Sequence, residues 1–64
     1  MKVNDALASM TFGGTVLIFS NDTLPEQFES IDEAFGRSKR LDRKVSEIKI
    51  KMHGHVAEIL IETL

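Results

Sequence analysis

The stretch 45–64, VSEIKIKMHGHVAEILIETL, decides the fold. Ile48, Ile50 and Met52 alternate with Glu47, Lys49 and Lys51, a period of two that belongs to a strand with one apolar and one charged face. If His53-Gly54 is a two-residue turn, Ile48 stands opposite Ile59, Ile50 opposite Ala57 and Lys49 opposite Glu58. Apolar then meets apolar and charge meets opposite charge. Val56, Ile59, Leu60, Thr63 and Leu64 also match a helical spacing, but a helix would turn Ile61 outward and lose the cross-strand match. The last third therefore reads as a β-hairpin.

Upstream, Thr23-Leu24-Pro25-Glu26 has the form of a capping box, in which the threonine hydroxyl accepts from the Glu26 backbone and the glutamate reaches back. Proline is tolerated in a first turn because its missing N–H has no intrahelical role there. Leu24, Phe28, Ile31 and Phe35 follow at intervals of four, three and four, one apolar stripe, while Glu26, Glu29, Asp32 and Glu33 lie toward the positive end of the helix dipole. The spacing predicts a helix over 24–35, with Gly36 as its cap or an interior glycine. Residues 38–44 read as a polar loop with Leu41 tucked under the sheet.

Residues 3–20 admit two readings. As a hairpin turning at Gly13-Gly14, they set Phe12 against Thr15, Met10 against Leu17 and Ala8 against Phe19. Alternatively Asn4 caps a short helix carrying Val3, Leu7 and Met10 on one side. The second arm, TVLIFS, is a strand in either case, and the hairpin is the favoured reading. The expected architecture is one α+β domain over 1–64, a small antiparallel sheet in ββαββ order with one α-helix packed on one face.

A chain of 64 residues buries only about 60% of its unfolded surface, so a core of this size is marginal without a staple. There is no cysteine, which excludes disulfides and the common thiolate zinc sites, fits a reducing cytoplasm, and leaves self-association as the available supplement. The amino terminus does not have the form of a secretory signal, and no run approaches the roughly 18 apolar residues of a membrane span. The expectation is a cytoplasmic protein with no membrane partner. Net charge is −2, but seven of the eight basic residues fall within 37–51, against only Asp42 and Glu47 there.

Chemistry-bearing patterns are sparse. His53 and His55 flank Gly54 and could offer two imidazoles, but a zinc site needs three or four protein ligands, and a solvent-facing turn is the simpler reading. Gly13-Gly14 lacks the Lys-Ser/Thr that a phosphate loop requires. Glu29 and Glu33, four apart on the expected helix, form a solvated acidic face. No nucleophile with an oriented base can be assembled, so the expectation is no enzyme, no cofactor and no metal.

Two surfaces remain. In the expected sheet one parity, Met10, Phe12, Leu17, Phe19, Ile48, Ile50, Met52, Ala57, Ile59 and Ile61, faces the helix. The other carries Val16, Ile18, Val56, Leu60 and Leu64, which a single helix cannot cover. An exposed apolar face of this kind marks an association surface, for a second copy or a protein partner. The alternative is a nucleic-acid-binding accessory protein using Arg37, Lys39, Arg40, Arg43, Lys44, Lys49 and Lys51, whose cations would neutralise phosphates. Against it, no aromatic residue is interleaved with those charges.

A strand, then the Thr23-Leu24-x-Glu26 helix start, then another strand is similar to the order in small phage-encoded regulators of host enzymes. Nothing is carried over from that resemblance: the expected non-enzymatic module, a homodimer or a modulator of a larger bacterial or viral assembly, rests on the apolar sheet face.

Overall fold

The computed structural model describes residues 1–10, 13–21 and 23–64. The elements run α1 (Val3–Ala8), β1 (Gly14–Ser20), β2 (Thr23–Phe28), α2 (Ile31–Arg37), β3 (Val45–His53) and β4 (Val56–Thr63). They form an α+β fold with a mixed four-stranded sheet ordered β2-β1-β4-β3, in which β1 and β4 are parallel and the two outer pairings antiparallel. The all-antiparallel sheet with one helix is thereby corrected: there are two helices, and the order is αββαββ.

The first arm is a helix rather than a strand. Val3, Ala6 and Leu7 share its buried face, and Asp5 accepts from the backbone N–H of Lys2 at 3.1 Å. Lys2, not Asn4, is the N-cap. A helix of six residues is too short to persist alone. Its free N-terminal donors are taken up by the distant 41–43 segment: Val3 N–H donates to the Arg43 carbonyl and Asn4 N–H to the Leu41 carbonyl, both at 2.9 Å. Ala8 therefore does not pair with Phe19, and the expected pairing of Phe12 lies outside the described residues.

The expected helix over 24–35 is split between two elements. Residues 23–28 pair as an edge strand with β1, Val16 opposite Phe28 and Leu17 opposite Gln27. Pro25 is harmless at an edge, where its missing N–H would have faced outward or been spared by the irregular register. Of the supposed stripe, Leu24 is 86% exposed while Phe28 is buried. The helix starts later, at Ser30, whose hydroxyl accepts from Glu33 N–H at 3.0 Å. Ser30-Ile31-Asp32-Glu33 is a second Ser/Thr-x-x-Glu pattern, seven residues beyond the first. Asp32 and Glu33 in its first turn and Arg37 in its last suit the dipole. The Thr-Leu-x-Glu helix start, on which the likeness to phage regulators stood, is thus part of a strand.

The C-terminal hairpin forms with a register two residues from the expected one. Ile50 is opposite Ile59, Ile48 opposite Ile61 and Lys51 opposite Glu58. Gly54 and His55 make the turn, with Gly54 at φ 65. A two-residue turn of the II′ kind wants glycine at its first central position, which places the turn one residue later. A shift of two leaves each side chain on its expected face.

Both helices pack on one side of the sheet. Val3, Ala6, Leu7 and Ala34 meet Val16, Ile18, Phe28, Ile59 and Ile61, with Met10, Ile31, Phe35, Leu41, Val45 and Ile48 around them. Leu41 thus joins the core from the loop, as expected. The central parallel pair is close: a Cβ on Gly14 would lie 1.8 Å from the Ala57 carbonyl oxygen, so this position admits only glycine without backbone movement.

Candidate functional site

The face of the sheet opposite the helices is built from alternate positions of the strands. Val16, Ile18 and Ser20 of β1 and Ala57, Ile59, Ile61 and Thr63 of β4 are buried, so Thr15, Leu17 and Phe19 and then Glu58, Leu60 and Glu62 point the other way. Leu17 lies beside Leu60 and Phe19 beside Glu62 in the parallel register. Glu47, Lys49 and Lys51 of β3 complete the face. Phe19, Leu60, Glu47, Glu62, Lys49 and Lys51 line a shallow depression of about 230 Å³. Lys49 reaches Glu47 at 3.5 Å, an exposed pair worth at most about 1 kcal/mol.

The structure divides the five residues expected on the open apolar face. Leu60 is on it and half-buried, and Val56 is on it at 52% exposure. Leu64 is exposed just past the end of β4. Val16 and Ile18 are not on it: both are fully buried under the helices. Their neighbours Leu17 and Phe19 occupy the open face instead. The five-residue run TVLIF is apolar on both parities, so alternation alone could not assign its sides. No local sequence signal separates the two sides; the packing of Val16 and Ile18 under the helices does.

The basic residues are divided among different tasks. Arg40 donates from Nη1 to the Ile18 carbonyl at 2.9 Å and from Nη2 to Thr23 Oγ1 at 2.7 Å and the Leu24 carbonyl at 2.6 Å. It thereby ties the loop after α2 to the irregular end of the β1–β2 pairing, where the register shifts between Ile18 and Ser20. Arg43 Nη1 reaches the Leu64 carbonyl at 3.5 Å, and Lys39 contributes its backbone N–H to Glu26 at 2.9 Å. Lys44 bridges to Lys2 through the backbone, and Arg37 closes α2. Lys49 and Lys51 stand apart from these, on the open sheet face.

His53 and His55 are both exposed at the β3–β4 turn. Among the described residues no group of three or more His, Asp or Glu side chains could hold a metal ion. Glu29 precedes α2 rather than lying on it, so Glu29 and Glu33 are not the helical pair expected, although both line a second shallow depression with Thr15, Gln27 and Phe28. No described helix is long and apolar enough to cross a membrane. Comparison with known proteins gives no match to a family model, a curated protein or a solved structure.

Proposed function

We propose that this protein is a small non-enzymatic interaction module that docks on a protein surface through the open face of its sheet, as a self-associating unit or a modulator of a larger assembly. One observation carries the reading: α1 and α2 share a side, so among the described residues no helix lies over Leu17, Phe19 and Leu60, which stay half-exposed on the other. Central strands with apolar residues on both parities are those that end up buried on both faces. Around the apolar strip, Glu47, Lys49, Lys51, Glu58 and Glu62 supply a charged rim, the usual anatomy of a protein interface.

The test is capture of a partner followed by its loss. Leu60→Asp and Phe19→Asp place a carboxylate in the apolar strip and are expected to cut binding at least tenfold, whereas Asp32→Lys on the far side leaves it intact. Circular dichroism on each variant confirms that the fold persists. Binding retained by both open-face variants overturns the reading. The nucleic-acid alternative is favoured by one feature, the exposed Arg37 at the end of α2 with Lys39, Arg43 and Lys44 in the loop that follows. It requires oligonucleotide binding that weakens steeply with salt and a shallower salt slope in alanine variants of those four.

A further inference from the structure

We infer that the outer edge of β3 pairs with the same edge of a second copy of this chain, antiparallel about a two-fold axis at Lys49, joining two four-stranded sheets into one of eight strands. This contact is separate from the open face and stands or falls apart from it.

The two edges of the sheet are unlike. β2 is six residues long, contains Pro25, pairs irregularly with β1 and has Glu26 held by Ser38 Oγ at 2.7 Å and Lys39 N–H at 2.9 Å. Those are the devices that blunt an edge. β3 is nine residues long and has no proline. Its first residues are covered, because Val45 N–H donates to the Met1 carbonyl at 2.9 Å and Lys2 bridges Lys44. Beyond that point no described residue pairs with the outer side of the strand.

Ladder parity says which groups it offers. His53 and Val56 flank the two-residue turn and form a hydrogen-bonded pair, so Lys51 and Lys49 direct their N–H and C=O toward β4, and Met52, Ile50 and Ile48 direct theirs outward. Among the described residues, no element pairs with those three. Their side chains lie at the margin of the core, with Ile50 48% and Met52 65% exposed.

Lysine on an edge strand is itself a protective device, and the charges decide the partner. With the axis at Lys49, Ile48 faces Ile50 of the second copy twice over, with outward backbone groups matched. Glu47 faces Lys51 of the second copy, also twice. Lys49 meets its own counterpart, one like-charge contact beside two opposite-charge ones, with Glu47 of its own strand 3.5 Å from each ammonium. A slip of two residues one way sets Lys49 against Lys51 twice and Glu47 against His53, exchanging two opposite-charge pairs for two like-charge ones. The pairing about Lys49 runs from Ser46 to Met52 of each copy and must end before Val45 and Lys44, which Met1 and Lys2 cover, whereas the opposite slip drives Met52 of the second copy onto Lys44 itself. Odd slips oppose outward groups to inward ones. The register about Lys49 is the one that joins Glu47 to Lys51 and keeps the covered residues out of the ladder.

The chain has no cysteine, so a single introduced thiol reports the register. Residues facing each other at a non-hydrogen-bonded position have Cα atoms about 4.5 Å apart, within disulfide range. Under mild oxidation Lys49→Cys is expected to form a dimer of twice the 7.2 kDa protomer mass. Glu47→Cys and Lys51→Cys should each stay single, and an equal mixture of those two should cross-link. Met52→Pro removes one outward N–H without touching the β4 ladder or the open face, and is expected to give a lone protomer by sedimentation with an unchanged dichroism spectrum. A lone wild-type protomer at millimolar concentration overturns the inference. So does a dimer in which Lys49→Cys fails to cross-link while Leu60→Asp dissociates it, a result that would instead place self-association on the open face.

Discussion

Arg40 shows what a single side chain does when a strand pairing is imperfect. Where β1 and β2 slip out of register between Ile18 and Ser20, the Ile18 carbonyl needs a donor, and Ile18 itself is fully buried. The guanidinium supplies one at 2.9 Å and spends its other arm on Thr23 and Leu24. An ammonium cannot span three acceptors spread this way. Arg40→Met should therefore cost about 2 kcal/mol in urea unfolding by leaving a buried acceptor unpaired, while Lys39→Ala, whose side chain is exposed, stays within about 0.5 kcal/mol. Equal effects at the two positions would contradict this account. The same contacts show what charge counting leaves out: it cannot separate a cation that binds phosphate from one that stitches a loop to a strand.

At the scale of elements, the sequence was most legible where two signals agreed and least where one was ambiguous. The β3–β4 hairpin has alternation and cross-strand matching together, so its existence and its faces came through even though the turn lies one residue on. α2 was misplaced because two Ser/Thr-x-x-Glu patterns occur close together, and apolar spacing extended the first across a strand. What chose between them is tertiary: Pro25 and Thr23 are usable at a sheet edge, and Phe28 pairs over Val16. α1 was misread because its N-terminal donors are satisfied from residues 41–43, a contact no local pattern reveals. The parity of β1 failed for a related reason, since its run of apolar residues carries no alternation. The observed α2 predicts its own test. Ser30→Ala should destabilise by about 1 kcal/mol through loss of the cap. Gly36→Ala should stabilise by about 0.5–1 kcal/mol, because Gly36 is inside the helix with open space where a Cβ would go. A helix over 24–35 would make Ser30 interior and its replacement by alanine favourable.

For the whole molecule the governing fact is that one layer of helix covers one face of a thin sheet. The core is complete on that side, yet half-exposed apolar surface remains at Leu17, Phe19 and Leu60, and the β3 edge has backbone groups with no partner among the described residues. A protomer this small gains little margin from its own burial, so pairing at the edge should appear as stability. Folding linked to dimer formation makes each tenfold rise in concentration worth about 0.7 kcal/mol per protomer, half of the mass-action value for a bound ligand. For a domain of this length that moves the thermal midpoint by about 3–6 °C. Melting curves across a hundredfold concentration range should therefore shift for the wild type. Met52→Pro should abolish the shift, because it removes the edge donor. Leu60→Asp should preserve it, because it alters only the face that another protein would cover. A midpoint independent of concentration in the wild type would mean that the protomer's own core suffices, and that the edge of β3 is protected by its lysines rather than completed by a second strand.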